Sequence, residues 1–548
     1  MQSPLFHFNE HRADLEKEVV ARIMDALARQ AEGDPLRVWQ LVLNDAAFHE
    51  IHRLESATGG EAERLPIWQK LARRIGHLDA RSLRDEVERL ATWYVGDVVG
   101  NFDRRVYRFA SGLLPVGLGA LFNTVELGQG FAAFKNLAER IRVEGPLEHL
   151  RTLASKGTLV VVPTHSSNLD SIVIGWSLVQ AGLPPVSYGA GKNLFSNKLI
   201  GYFMRNLGAY RVDRRLQHQL YKDVLKTYSQ VLMERGYHSL FFPGGTRSRS
   251  GLVEQKLKLG LLGSAISALS ERVARGDDRP IYVVPVTINY PLVLEAETLV
   301  EDHLKAAGQA RYIIEDDEFS KVGRVVQFAL KVMALDTTMI IRYGAAMDVF
   351  GNPIGPQGES LGPAGNVLDP ARYFQRDGVA VTDEARDAEY TRQLGVQVAA
   401  AFLKETVILP THLLGWVLFE QERRRAPGLD LFTLLRTTSG DVHDPEEIHR
   451  TLERVRTRLV ALEAAGRLRL HDTVRSAPVD TLVAEAVRTF GMYHQRTALD
   501  RVGEDLVVRD PKLLYFYGNR LAAHADVLRE SLADTPLDKT PGKAGGRA

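Results

Sequence analysis

The sequence contains no cysteine among its 548 residues. This absence excludes disulfide bonds, thiolate nucleophiles, zinc–thiolate sites and iron–sulfur clusters, and it favours a reducing compartment. The chain also lacks a G-x-x-x-x-G-K-S/T phosphate loop and a G-x-S-x-G nucleophile elbow, so it gives no support for an NTPase or an α/β-hydrolase. The pattern FHEIH at residues 48–52 does not have the H-E-x-x-H spacing, and we predict no metal site.

An excess of charge of one sign is also missing. The 69 Lys and Arg residues are balanced by 68 Asp and Glu residues, which gives a formal net charge of +1. The chain therefore has no global basic field that would attract nucleic acid, and we predict no nucleic-acid partner. Any binding of anions must come from basic residues that cluster locally.

Long apolar runs are absent as well. The longest charge-free stretches, residues 171–191 and 109–125, are interrupted by GLPP or by Pro115 and three glycines. Neither resembles the roughly 20 strongly apolar residues of a membrane-spanning helix. The first residues, MQSPLFHFNEHRADLEKE, do not have the basic-then-apolar pattern of a signal peptide. We therefore expect a soluble or membrane-surface protein that is not exported.

The hydrophobic pattern changes along the chain. Helical spacing at the N-terminus gives way, after Gly145, to short β-rich runs that alternate with amphipathic helices. Alternating strands and helices of these lengths predict an α/β fold with a substantially parallel sheet flanked by helices. The predicted division is an N-terminal helical region at 1–143, an α/β domain at 144–350, a loop-rich connector at 351–394, a C-terminal helical region at 395–532 and a flexible tail at 533–548.

The segment VVVPTHSSNLD contains a candidate general base. A β-run ends near His165, and Asp170 follows five residues later, where the next helix should begin. Five residues of a regular helix turn through about 500°, so the two side chains meet only if the intervening SSNL forms a turn. A carboxylate bonded to one imidazole nitrogen fixes the tautomer and leaves the other nitrogen to accept a proton. Taken alone, however, such a pair more often represents a structural histidine at a strand end and a helix-capping aspartate.

Three further segments favour the catalytic interpretation, because with them the chain resembles the glycerophospholipid acyltransferases. The four blocks read THSSNLD, GAYRVDR at 208–214, FPGGTRSRSG at 242–251 and VVPVTINY at 283–290. The segment AGLPPVSYGAGKNLFSNKLIGYFMRNLGAYRVDR and the distant DPKLLYFYGNRL are similar to segments of glycerol-3-phosphate acyltransferases. The resemblance extends over about residues 145–525 and assigns residues 144–350 to the acyltransferase domain.

This resemblance implies transfer of an acyl group from acyl-CoA or acyl-carrier protein to the sn-1 hydroxyl of glycerol 3-phosphate, giving lysophosphatidic acid for phospholipid synthesis. His165 is then the general base and Asp170 orients it, with no cofactor and no metal. We expect direct transfer, because the motif has neither a cysteine nor an elbow serine. The alternatives are a lysophosphatidic acid or dihydroxyacetone phosphate acyltransferase, or a non-catalytic lipid-binding relative.

Basic residues cluster between residues 190 and 260, a segment that contains 13 Lys and Arg residues but only four Asp and Glu residues. This local excess fits a phosphorylated substrate and an anionic acyl carrier. By resemblance, Arg214 and Arg247 are the first candidates for phosphate ligands. The other candidates for substrate binding are Gly245, Thr246, Ser248, Arg249, Arg211, Lys192 and Lys258.

One position departs from the family pattern. The family usually has Glu where this sequence has Gly244. Three explanations are open: the glycine makes room for a different acceptor, another carboxylate takes the place of the missing one, or activity is reduced.

The implied product carries an acyl chain, so we expect the enzyme at the cytoplasmic face of a membrane, as a peripheral or monotopic protein that binds anionic lipid. Two apolar segments, residues 109–122 and 406–419, are either core helices or surfaces that lie in the bilayer interface. Residues 109–122 are the better candidate for membrane contact.

Overall fold

The computed structural model of the protein describes residues 3–31, 33–111, 141–195, 198–307, 338–491, 494 and 497–532. Phe109, at the start of the first apolar segment, is exposed. The rest of that segment from residue 112 onward, and the predicted tail at 533–548, lie outside the described residues.

The described part of the N-terminal region up to residue 111 is helical, as predicted, whereas residues 141–143 of the predicted region belong to a strand. The side chains at the i+4 stripe that begins with Leu15 are buried, and Asp34 and Asp79 cap two of the helices by accepting backbone N–H groups of their first turns. Four helices are described over their whole length, namely α1 (Phe8–Gln30), α2 (Pro35–Glu55), α3 (Leu65–Ile75) and α4 (Ala80–Val98), and residues 104–111 are also helical.

Seven strands form the central sheet, in the order β1-β7-β6-β2-β5-β3-β4. The five strands from β6 to β4 are parallel to one another, whereas β7 is antiparallel to β6 and β1 is parallel to β7. The predicted α/β class with a substantially parallel sheet is therefore confirmed. The strands are β1 (Ile141–Glu144), β2 (Thr158–Pro163), β3 (Ser187–Gly191), β4 (Ala209–Val212), β5 (Ser239–Leu240), β6 (Ile281–Asn289) and β7 (Met339–Tyr343).

Helices cover both faces of this sheet, and β2 and β6 are accordingly buried along their whole length. One face shares its core with α5, α6 and the C-terminal helices, and the other face packs against α9, while α8 packs into the N-terminal helices. These helices are α5 (Leu147–Lys156), α6 (Asp170–Gln180), α7 (Lys198–Asn206), α8 (Gln219–Glu234), α9 (Leu259–Ala274) and α10 (Ala296–Ala307).

The C-terminal region is mainly helical, and its first helix begins at Glu384, inside the predicted connector, where Asp383 accepts the backbone N–H of Arg386. The helices are α11 (Glu384–Glu405), α12 (Pro410–Arg425), α13 (Leu431–Thr437), α14 (Pro445–Ala464), α15 (Asp472–Ser476), α16 (Val479–Phe490), α17 (Pro511–Gly518) and α18 (Ala525–Glu530). Short 3₁₀ helices lie at Pro4–His7, Gly59–Arg64, Lys192–Phe195, Pro370–Phe374 and Asn519–His524.

Short strands, which the sequence pattern does not predict, complete the connector and the C-terminal region. Strands of two to four residues are too short to show a period of two. Four of them pair as two hairpins in the connector, two form a parallel pair, and three form an antiparallel sheet. They are β8 (Ser360–Leu361), β9 (Val367–Leu368), β10 (Gln375–Arg376), β11 (Val379–Ala380), β12 (Val407–Ile408), β13 (Val442–His443), β14 (Arg469–Leu470), β15 (Leu499–Val502) and β16 (Asp505–Val508).

The second apolar segment, residues 406–419, belongs to the core. It forms β12 and most of α12, and every residue of α12 from Pro410 to Glu422 is buried. Leu413, Leu414 and Leu418 lie in the same hydrophobic cluster as the sheet. The segment therefore has no free face for a bilayer, and membrane contact through these residues is ruled out.

The burial of α12 predicts a large loss of stability when its core side chains are shortened. Leu414→Ala should lower the free energy of unfolding by about 2–5 kcal/mol, because Leu414 is fully buried and a cavity would remain. Leu41→Ala is the matched control, since Leu41 is a helical leucine that is 58% exposed, and it should change stability by less than about 0.5 kcal/mol. Urea unfolding followed by circular dichroism measures both. Equal effects would contradict the core position of α12.

Candidate active site

The candidate base and its carboxylate meet at the carboxyl end of β2. Strand β2 ends at Pro163, residues 164–169 form a turn, and α6 begins at Asp170. The His165 Nδ1 atom lies 2.8 Å from Asp170 Oδ2. The same oxygen accepts the backbone N–H groups of Ser166 and Ser167, at 2.6 and 2.9 Å. The turn that the SSNL segment must form is therefore held by the carboxylate itself.

Tyr290 completes the hydrogen bonding of this carboxylate. Its hydroxyl donates to Asp170 Oδ1 at 2.7 Å, and both side chains are buried. Burial, and then the negative charge of Asp170, raise the pKa of Tyr290 well above its usual value. The tyrosine is therefore a permanent donor that holds the Asp170 side chain in place.

The imidazole of His165 is oriented with one nitrogen available. Its ring stacks on Phe242, with ring centroids 4.4 Å apart, and 11% of its side chain is exposed. Because Asp170 accepts at Nδ1, the proton of the neutral ring belongs on Nδ1 and the lone pair on Nε2. Among the described residues, Nε2 has no hydrogen-bond partner. This arrangement is that of a general base.

The turn at residues 242–251 lies against the His165 loop. The backbone N–H of Ser248 donates to the His165 carbonyl at 2.8 Å, and the Ser248 hydroxyl donates to the Leu252 carbonyl, so it serves the turn. Gly245 has a positive φ of 75°, which a glycine adopts without strain. Thr246 is exposed.

Arg247 reaches a buried carboxylate that the sequence analysis did not identify. Its guanidinium lies 3.2 Å from Glu295, which also accepts the Ser167 hydroxyl at 2.8 Å and the Asn168 backbone N–H at 2.9 Å. Burial raises the pKa of Glu295, and the charge of Arg247 opposes that rise. Glu295 therefore joins the arginine of one motif to the histidine turn of another.

Arg214 comes close to Arg247. Desolvation, and then the positive charge of Arg247, lower the pKa of Arg214. No ion pair of Arg214 occurs in the part of the chain that the structure describes. Two neighbouring guanidinium groups repel each other, and an anion bound between them would relieve the repulsion.

The other basic candidates divide into two groups. Lys258 and Arg249 are exposed, and Lys258 lies over the turn, because a Cβ atom at Gly245 would come within 2.8 Å of its side chain. Arg211 and Lys192 instead pair with acidic residues: Arg211 lies 2.9 Å from Asp97, and Lys192 lies 3.4 Å from Asp213. Asp97 belongs to α4, so the N-terminal helices neutralise part of the basic cluster.

Two charged groups beside the site were not predicted. Glu254 accepts the backbone N–H of His165 with both carboxylate oxygens, at 3.1 and 3.2 Å, and burial raises its pKa to about 8. Arg520, from the C-terminal region, is buried and donates to the Ser166 hydroxyl at 2.7 Å. Arg520 and Tyr290 could have been found from the sequence, since they lie within DPKLLYFYGNRL and VVPVTINY. Glu254 lies outside these blocks and had no such signal.

Two kinds of feature are absent from the described residues. These residues contain no group of three or more His, Asp or Glu side chains that could hold a metal ion. They also contain no helix with the length and apolar character needed to cross a membrane.

Around this site the chain is similar to known proteins. Residues 140–289 match the family model described as Acyltransferase. The chain is similar to the glycerol-3-phosphate acyltransferase of Pseudomonas paraeruginosa, with 27% identity over 275 residues; the match covers 50% of this chain and 28% of that protein. It is also similar to the glycerol-3-phosphate acyltransferase of Glaesserella parasuis, with 36% identity over 157 residues; this match covers 28% of this chain and 19% of that protein. The matched regions thus span about a quarter of the length of these relatives or less.

Among solved structures, the chain is similar to the 1-acyl-sn-glycerophosphate acyltransferase PlsC from Thermotoga maritima. Its sequence identity is 14% and its TM-score 0.24, with 54% of this chain and 92% of that chain covered.

The region that matches the family model includes β2, the histidine turn and the turn at 242–251, and it ends one residue before Tyr290. It therefore contains both members of the His165–Asp170 pair and the two neighbouring arginines. The part of the chain that carries the candidate base therefore matches the acyltransferase family model.

Proposed function

We propose that the protein transfers an acyl group from acyl-CoA or acyl-carrier protein to the sn-1 hydroxyl of glycerol 3-phosphate. The observation that carries the proposal is the hydrogen bond between His165 Nδ1 and Asp170, which leaves Nε2 to act on a hydroxyl. The names of the relatives from Pseudomonas and Glaesserella support glycerol 3-phosphate as the acceptor.

The proposed reaction needs no covalent enzyme intermediate. His165 Nε2 takes the proton of the sn-1 hydroxyl as its oxygen attacks the thioester carbonyl carbon, and the thiolate leaves when the tetrahedral intermediate collapses. The imidazolium then returns its proton to the thiolate. Asp170 stabilises the imidazolium while it exists, and Tyr290 keeps Asp170 in place.

The phosphate of the acceptor is proposed to bind at Arg214 and Arg247. Their mutual repulsion makes the space between them favourable for an anion. Glu295 orients Arg247 from the buried side and also holds Ser167 and Asn168. A phosphate bound there would lie beside the histidine turn, which is where the acceptor hydroxyl must be presented.

We further propose that the protein works at the cytoplasmic face of a membrane, bound to anionic lipid. The acyl chain of the product favours lipid by about 0.8 kcal/mol for each buried CH₂ group, so release into water would be slow. The apolar sequence at residues 109–122 and the exposed Arg249 and Lys258 support this location.

The proposed reaction predicts how changes at the base alter turnover. His165→Ala should reduce turnover by about 100-fold or more, because proton transfer from the hydroxyl is lost. Asp170→Asn should impair turnover similarly, since the amide can favour the wrong tautomer. Transfer from palmitoyl-CoA to radiolabelled glycerol 3-phosphate, with identification of the product, measures both effects. The same assay with lysophosphatidic acid or dihydroxyacetone phosphate tests the alternative acceptors. Full activity of a folded His165→Ala variant would exclude His165 as the base.

The proposed phosphate site predicts a selective effect on the acceptor. Arg214→Ala or Arg247→Ala should raise KM for glycerol 3-phosphate by about 10- to 100-fold, because each loses a charge-assisted contact worth about 1.5–3 kcal/mol. KM for the acyl donor should change much less. Lys222→Ala is the control, since it removes an exposed charge from the same basic segment. A parallel rise of both KM values would instead indicate a structural role.

The proposed membrane contact predicts a loss of liposome binding when the apolar segment is charged. A variant with Leu114→Glu, Leu118→Glu and Phe122→Glu should bind anionic liposomes less than the wild type does, because three charges would have to enter the interface. Co-sedimentation with phosphatidylserine-containing vesicles measures binding, and circular dichroism checks that the variant is folded. Undiminished binding by the folded variant would remove this segment from the proposed membrane contact.

A further inference from the structure

Glu254 holds the backbone of the candidate base. Both of its carboxylate oxygens accept the N–H of His165, whereas Asp170 binds the side chain of the same residue. Glu254 lies three residues after the turn at 242–251, so its contact with His165 joins two motifs that are far apart in the sequence. None of the steps proposed above uses this carboxylate.

The carboxylate of Glu254 occupies the space beside Gly244. A Cβ atom at position 244 would lie 2.5 Å from Glu254 Oε1 and 2.8 Å from its carboxyl carbon. Gly244 does not have a positive φ, so its backbone conformation is open to other residues. The glycine is therefore needed for the room it leaves and not for its conformation.

The geometry also shows where a glutamate at position 244 would place its charge. The carboxyl carbon of a glutamate lies about 2.5 Å from its own Cβ, which is the span of two C–C bonds. This distance is close to the 2.8 Å that separates the same Cβ position from the Glu254 carboxyl carbon. A glutamate at position 244 and a glutamate at position 254 can thus place their carboxyl groups at the same position in space. Only one of the two can occupy that position at a time.

A buried cation lies near this carboxyl group. Arg520 is buried and donates to the Ser166 hydroxyl, next to His165. Its positive charge acts on both Glu254 and Asp170. Glu254 is partly buried, and the His165 N–H that it accepts with both oxygens satisfies its hydrogen bonding there.

We propose that Glu254 is a positioning residue for His165 and that it supplies, from the far end of the turn, the carboxylate that the family pattern would place at position 244. Its function is to fix the peptide group of His165, so that the imidazole stays aligned with Asp170 and the acceptor hydroxyl. The proposal rests on the acyl transfer proposed for His165.

Four variants test it: Glu254→Ala, Gly244→Glu, the double variant with both changes, and Gln255→Ala as a control at the exposed neighbour. The first readout is hydrogen–deuterium exchange of the His165 amide, resolved by fragmentation mass spectrometry. The second is kcat and KM for glycerol 3-phosphate with palmitoyl-CoA. The exchange readout does not depend on activity. If the wild type does not acylate glycerol 3-phosphate, the proposed function is rejected, but the exchange of the His165 amide still tests the positioning role of Glu254.

Glu254→Ala should speed exchange of the His165 amide by about 10-fold or more, because its acceptor is lost. It should lower kcat by about 10- to 100-fold and change KM by less than about threefold, as expected for misalignment of a base. Gly244→Glu alone should also lower kcat, since two carboxylates then compete for one place. The double variant should recover slow exchange and kcat to within about threefold of the wild type, and Gln255→Ala should change neither readout.

Two results would overturn the proposal. One is unchanged exchange of the His165 amide in a folded Glu254→Ala protein, which would show that the carboxylate does not hold this peptide group. The other is a double variant whose exchange is as fast as that of Glu254→Ala, because positions 244 and 254 would then not share one carboxylate site.

Discussion

The Asp170 carboxylate is the interaction on which the rest of the site depends. It accepts hydrogen bonds from the His165 ring, from two backbone N–H groups and from the Tyr290 hydroxyl. These donors come from the end of β2, from the following turn and from the end of β6. A fully buried anion is stable only when such donors surround it, so the same contacts that stabilise the charge also fix the turn that carries the base.

Around this anion, other carboxyl groups of the site lie near arginines. Glu295 faces Arg247, and the charge of Arg520 acts on Glu254 and Asp170. Such pairs contribute little net stability, because each ion loses its hydration, but removal of one partner leaves an uncompensated charge. The network therefore holds each group in one geometry, and it also ties the C-terminal region to the histidine turn through Arg520.

The helical regions contribute to the site as well as to the core. Asp97 of α4 pairs with Arg211, and Glu18 of α1 pairs with Arg235, so the N-terminal helices neutralise basic residues of the central segment. On the other side, a Cβ atom at Gly251 would lie 1.9 Å from the Phe516 carbonyl oxygen. Helix α17 therefore lies directly against the turn beside the site, which explains why that turn ends in a glycine.

Much of this protein follows from the sequence by itself. The alternation of β-runs and amphipathic helices determined the fold class, and β6 spans the nine residues IYVVPVTIN as written, because local hydrophobic periodicity reflects burial directly. The spacing of His165 and Asp170 determined that a turn is required for them to meet. The tertiary structure alone decided which cations remain near the turn and which are paired, since Asp97, Glu295 and Arg247 are far apart in the chain. It also decided that residues 406–419 are core and that Glu254 fills the space beside Gly244. The local sequence cannot show either fact, because it is the same whether or not a distant segment packs against the helix or the glycine.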